Sequence, residues 1–239
     1  MLAETIMRQI LFGESRGVGI IRTFHGQFTA AVANPRLEHE LGAQIADESR
    51  HARAYARMLS KRIGANVGAA GVDAGWRAII RHLSTTKSFS TTLIGIYGLM
   101  EPFNLLSIQT FLLPLLGKAE LAEVDQIAKD EARHIGMFDL FSEQVEKRAL
   151  RVDEGECLEM LRVFSDALKD GIELPSGERV VLPRSEWRSF MGHVAGLKER
   201  IAGWASLRVN PHRRMRHAEH VESSPQNRAA SRGGSCDDG

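Results

Sequence analysis

Two five-residue stretches, Asp47-Glu48-Ser49-Arg50-His51 and Asp130-Glu131-Ala132-Arg133-His134, both read D-E-x-R-H, and they constrain this chain more than any other feature. Four fixed residues match at a given position at a rate on the order of one in a million at average usage, so two copies in 239 residues point to a shared cause. Each copy lies inside a long stretch of helical pattern, and on an α-helix positions i and i+3 share a face. Glu48 with His51, and Glu131 with His134, therefore each aim a carboxylate and an imidazole at one spot. Carboxylate oxygen and imidazole nitrogen together suit iron or manganese. Two such helices facing each other supply half of a dinuclear carboxylate site, and a helical bundle completes it with one Glu from each of two further helices. The bland alternative is a pair of exposed helix faces carrying ordinary salt bridges.

The surrounding pattern predicts an all-α chain. A helix over residues 2–25 ends at Gly26, and a short connection leads to Asn34-Pro35, an N-cap with Pro at the first helical position. The next helix covers 35–63 and Gly64 ends it. Residues 64–86 are a Gly/Ala-rich crossover in which Asp73 caps a short helix through residue 83. A helix over 88–116 breaks at Gly117, and another runs over 118–150. Two more, over 153–169 and 185–207, flank a loop or small hairpin. One long connection among short turns marks a four-helix bundle with a single crossover. The expected domain is residues 1–208, with the bundle core in 1–150 and extra helices in 151–208, followed by a disordered tail, 209–239. The tail histidines His212, His217 and His220 are expected to be surface residues.

Composition narrows the class. With 43% hydrophobic residues the chain can bury a proper core. A formal net charge of +1 argues against a broad nucleic-acid or membrane footprint. Cys157 and Cys236 form no C-x-x-C, which argues against a disulfide scaffold, a zinc ribbon and a rubredoxin-type iron centre and fits a reducing cytoplasm. Residues 1–20 lack the basic segment and apolar run of a signal peptide. Residues 92–116 are the most apolar stretch, but Glu101, Pro102, Asn104 and Gln109 interrupt it, and polar groups at mid-bilayer are expensive. A helix buried among helices is expected instead.

Hairpin levels identify the two remaining carboxylates. Glu101 lies sixteen residues before Gly117 and Glu131 fourteen after it, so the two stand at matching heights. Glu101 is also the lone acid within 92–116, where an unpaired carboxylate is costly. Glu14 precedes Glu48 by 34 residues, with the midpoint in the 26–34 connection; Glu4 fits less well. Were the first helix to run straight through, Glu14 would stand about two turns out of level. Tyr97, four residues before Glu101, lies near the site and reads best as a core tyrosine with a satisfied hydroxyl. Pro102 predicts a kink or bulge. Gly13, Gly17, Gly19, Gly95 and Gly98 leave room either for a substrate or for close helix packing.

With these residues in place, the chain resembles the ferritin-like di-iron carboxylate proteins. The pattern Glu14, Asp47-Glu48-x-Arg50-His51, Glu101, Asp130-Glu131-x-Arg133-His134 is similar to that of bacterial multicomponent monooxygenase hydroxylases and soluble acyl-carrier-protein desaturases, over roughly residues 1–150. Those proteins are larger, so their substrate channels and partner surfaces do not carry over. The resemblance implies six ligands, Glu14, Glu48, His51, Glu101, Glu131 and His134, holding two iron ions or a manganese–iron pair. It implies that Asp47 and Asp130 accept hydrogen bonds from the ligand imidazoles across the site, with Arg50 and Arg133 balancing charge. The implied activity is that of a non-haem di-iron oxygenase that uses O2 to hydroxylate, desaturate or similarly oxidise a small organic substrate. An external electron-donor protein is expected, since no flavin, haem or rubredoxin motif is present. The alternatives are a ferritin- or rubrerythrin-like protein that oxidises iron or reduces peroxide, and a non-catalytic helical scaffold. The extra helices can cover the site, form a homodimer interface or dock a reductase.

Overall fold

The structure, a computed structural model, describes residues 1–64, 71–148 and 150–209. The middle of the expected crossover and the expected tail from residue 210 on, with its three histidines, lie outside the described residues, while Val209, expected in the tail, is helical. Helices dominate: α1 (Leu2–Ala31), α2 (Pro35–Ile63), α3 (Ala74–Thr85), a composite α4 running from Phe89 to Leu115, α5 (Lys118–Arg148), α6 (Glu154–Leu168) and α7 (Arg184–Val209). A two-stranded antiparallel hairpin, β1 (Ile172–Glu173) with β2 (Arg179–Val180), separates the last two helices. No helix among the described residues is long and apolar enough to cross a membrane.

Local chemistry sets most boundaries where the sequence places them. The Asn34 side chain accepts from the backbone N–H groups of Arg36 and Leu37, with Pro35 next in line, and α2 starts there. Gly64 ends α2 in the left-handed conformation, φ 64°. Asp73 caps α3 through Gly75 and Trp76, and Asp153 caps α6 through Glu156. Asp73 also accepts from the Glu173 backbone N–H at 3.2 Å and so ties the hairpin to the start of α3.

One boundary is corrected. The first helix does not stop at Gly26 but continues to Ala31. Phe24 and Phe28 flank the glycine on the buried face, stack on each other at 5.5 Å and both meet Phe141 of α5 edge-on. Burying one such ring is worth about 1.5–3 kcal/mol, against about 1 kcal/mol for a glycine in a helix interior. Packing therefore overrides the stop signal.

The second departure is inside α4. It alternates α-helix (Phe89–Leu93, Glu101–Ser107) with wider π-helical turns (Ile94–Met100, Ile108–Leu112) and closes in a 3-10 turn, Leu113–Leu115. Pro102 is one cause. It has no N–H to offer the Gly98 carbonyl one turn earlier, and the Glu101 N–H bonds the Ile96 carbonyl instead. The freed Gly98 carbonyl accepts from His193 Nε2 of α7 at 2.7 Å. The expected bulge is present, with its partner supplied from 95 residues away.

The outer helices grip this irregular helix. A Cβ at Gly95 would collide with Leu83 and crowd Met160, and one at Gly98 would lie 3.2 Å from Leu197. Trp76, Phe103, Phe164 and Phe190, from α3, α4, α6 and α7, form one aromatic cluster on its outer side. Of the two roles the glycines of α4 could have, close packing is the one observed. Two substitutions separate these effects in thermal unfolding. Gly26→Ala, at an exposed helical position with nothing within 4 Å of the added carbon, raises stability by roughly 0.5–1 kcal/mol. Gly95→Val lowers it by about 1–3 kcal/mol through overpacking.

Candidate metal centre

The buried faces of α1, α2, α4 and α5 converge on six polar side chains. Glu14 comes from α1, Glu48 and His51 from α2, Glu101 from α4, and Glu131 and His134 from α5; none is more than 4% exposed. They gather as two triads, Glu14/His51/Glu131 and Glu48/Glu101/His134, and within each triad one ligand-capable atom per residue lies within 4.8 Å of the others. The imidazole rings are 6.1 Å apart. All six sequence-selected residues are thus brought together, and each triad draws on both repeats.

The level of Glu14 has a different basis from the one the sequence suggests. With α1 running on to Ala31 the inter-helix link shortens, and Glu14 stands level with His51 instead of Glu48. Its Oε2 is 3.6 Å from His51 Nδ1. The i,i+3 spacing within D-E-x-R-H spreads its two ligands over most of a turn, so a helix one step out of register still meets the second of them.

Orientation of the rings follows from the aspartates. His51 Nε2 lies 3.3 Å from Asp130 Oδ2, and His134 Nε2 lies 3.5 Å from Asp47 Oδ2, each pair crossing between α2 and α5. Arg50 Nη2 also comes within 3.5 Å of His51 Nε2. That guanidinium is already engaged by Asp47 Oδ1 and Asp130 Oδ2, at 2.5 Å each, so the ring nitrogen donates to the carboxylate. Arg133 likewise pairs with Asp47. The two arginines close the outer edge of the site, half-exposed, and lock the two repeats to each other. Burial opposes the charge on Asp47, but hydrogen bonds from His134 and Arg50 outweigh it and hold its carboxyl well below the ordinary range.

With Nε2 turned to the aspartates, each Nδ1 points inward, where a metal could take its lone pair; without metal, burial opposes the charge on His134 but Asp47, Glu101 and Glu131 outweigh it and push its pKa up to about 12. His51 Nδ1 faces Glu14 and Glu131 at 3.6 Å each; His134 Nδ1 faces Glu48 at 3.3 Å, Glu101 at 3.7 Å and Glu131 at 3.8 Å. Both Nδ1 atoms and all four oxygens of Glu14 and Glu131 are buried without a hydrogen-bond partner. Lone pairs and carboxylate oxygens turned on one another in a dry interior repel unless protons or a cation lie among them. Each triad could hold a metal ion, and the donors fit one that takes oxygen and imidazole nitrogen.

Two further residues escaped the sequence reading. Gln44, fully buried, donates from Nε2 to Glu48 Oε1 at 3.2 Å and Glu101 Oε1 at 3.0 Å, and accepts from the Tyr97 hydroxyl at 2.6 Å. Tyr97 thus reaches the ligands through Gln44, with its hydroxyl satisfied as expected. Tyr55, one turn beyond His51, buries a hydroxyl with no partner. The available signal was the buried row Leu41, Gln44, Glu48, His51, Tyr55, whose polar members continue past the motif on both sides.

Comparison with protein-family models, with curated proteins and with solved structures finds no match for this chain.

Burial raises the Glu14 and Glu48 carboxyls above their ordinary range, and it pushes Glu101, beside Glu131, from 4.5 up to about 8. Between those two values the folded state keeps a proton that the unfolded chain has lost, so the stability of metal-free protein falls as pH rises. Its melting temperature is expected to drop by several degrees from about pH 5 to about pH 8, less steeply in Glu101→Gln, and divalent iron or manganese reverses the drop. A flat profile in the wild type would show that these carboxyls do not titrate as buried groups.

Proposed function

We propose that this chain is a ferritin-like four-helix bundle, formed by α1, α2, α4 and α5, that holds two iron ions as a non-haem di-iron oxygenase. What carries the reading is the set of inward-facing, unpartnered ligand atoms: two imidazole Nδ1 atoms and the carboxylates of Glu14 and Glu131, in two triads that share both repeats. Glu14, His51 and Glu131 would hold one ion, and Glu48, Glu101 and His134 the other; a manganese–iron pair fits the same donors. When bound in the reduced state, the pair supplies the electrons that turn O2 into an oxidant able to attack a C–H or N–H bond.

The protein's own contribution is positional. Asp47 and Asp130 fix the tautomer and orientation of the two imidazoles and raise their basicity. Arg50 and Arg133 hold those aspartates and join α2 to α5. Phe24, Phe141 and Tyr97 pack together beside the site and exclude water from one flank. At Gly17 an added Cβ would meet only Glu48 Oε2, at 4.0 Å. The absence of a side chain at Gly17 lets α1 pass close to this ligand. Electrons would come from a separate donor protein, because the described cysteine, Cys157, is buried and unpaired and the sequence holds no C-x-x-C.

Metal content is the first test. Full-length protein reconstituted anaerobically with ferrous iron is expected to carry about two irons per chain, and Glu101→Ala to lose at least one. Near-zero metal would sink the dinuclear reading. Asp130→Asn keeps the fold but weakens iron binding by about 10–100-fold, read by competition with a chelator. With reductant and isotope-labelled O2, the label is expected in an organic product; label found only in water, with ferric iron accumulating, would favour the iron-oxidising alternative.

A further inference from the structure

The two repeats match in D-E-x-R-H but not in what flanks it. Gln44 stands one turn before Glu48, whereas the same position before Glu131 is Ile127. Tyr55 stands one turn after His51, whereas the position after His134 is Phe138. On α2 the ligand row therefore continues into an amide; on α5 it continues into hydrocarbon.

The amide's orientation follows from its partners. With a cation bound both carboxylates are ionised and only accept, so the Gln44 NH2 faces Glu48 and Glu101 and its oxygen faces Tyr97. The distances agree: 3.2 and 3.0 Å from Nε2 to the two Oε1 atoms, and 2.6 Å from the Tyr97 hydroxyl to Gln44 Oε1. Both amide hydrogens are used and all three partners are buried, so Gln44 cannot rotate away without leaving groups unsatisfied.

The triads are consequently in different states before any ion arrives. In Glu48/Glu101/His134 each carboxylate already has one oxygen held by an N–H. The Glu48 oxygen that Gln44 holds, Oε1, is also the one 3.3 Å from His134 Nδ1, where an ion would sit. In Glu14/His51/Glu131 all four carboxylate oxygens are without a partner. An ion entering Glu14/His51/Glu131 meets carboxylate oxygens that no amide holds; an ion entering Glu48/Glu101/His134 must share a donor oxygen with an amide.

We propose that Gln44, clamped by Tyr97, ranks the two metal positions: Glu14/His51/Glu131 fills first and tightly, and Glu48/Glu101/His134 second and more weakly. The inference rests on the dinuclear reading above. Gln44 and Tyr97 are positioning residues here, since they act on the ions through Glu48 and Glu101.

The test is an anaerobic titration of metal-free, full-length protein with cobalt(II), read by its visible absorption and by equilibrium dialysis. Wild type is expected to bind two ions in two steps separated by at least about tenfold in affinity, the scale of one charge-assisted hydrogen bond. Glu14→Gln should lose the tighter step and Glu101→Gln the weaker. Gln44→Met, which keeps the side chain's volume, should tighten the second step and bring the two together; Tyr97→Phe should move it in the same direction by less. Circular dichroism and melting curves establish that each variant is folded. A single unresolved step in wild type, a tighter step that survives Glu14→Gln but not Glu101→Gln, or an unchanged gap in folded Gln44→Met would each overturn the ranking while leaving the dinuclear reading intact. No cobalt bound at either position would overturn both.

Discussion

Four carboxyl groups and two imidazoles are turned toward one another in a buried volume, and balancing their charge is the constraint the rest of the chain answers to. Left unbalanced, such a set costs more than a typical domain's entire stability margin can absorb. Raised carboxyl protonation offers partial relief in the absence of metal, and cations offer full relief. The crossed aspartate–imidazole pairs and the arginines outside them form a collar that keeps the two imidazoles from turning away from the carboxyls.

That collar also explains why the repeat is D-E-x-R-H and not merely E-x-x-H. Within each copy, Glu and His point in, while Asp and Arg point across the seam to the other helix. Asp47 serves His134 and Asp130 serves His51, so neither copy is complete alone. Burial and exchange of partners make the two segments one unit even though they lie 83 positions apart in the chain.

The parts of this arrangement that were legible in the sequence are those with an energetic signature of their own. A lone Glu101 in an apolar stretch, an Asn-Pro start, a Gly64 stop and a doubled five-residue motif each carry a cost or a geometry that few alternatives share. Glu14 was legible in identity but not in height, because the end of α1 is decided by Phe24 and Phe28 packing on Phe141, and a ring's partner is not written next to it. Gln44 and Tyr55 passed unnoticed for a related reason: an amide or a phenol on a helix face has no distinctive spacing, and its meaning appears only when the facing helix is in place. Pro102 announced a distortion, but nothing near it in the chain named the group that would satisfy the Gly98 carbonyl.

The His193 contact also moves the edge of the working unit. All six candidate ligands lie before residue 135, and by ligand count the protein could be cut after α5. Yet the turn that delivers Glu101 is completed by a ring on α7, and the glycines on that turn are shaped to Leu83, Met160 and Leu197. The last helix is in this sense a strut of the centre it never touches. A fragment ending at α5 would retain every donor atom and lose the scaffold that fixes where one of them points.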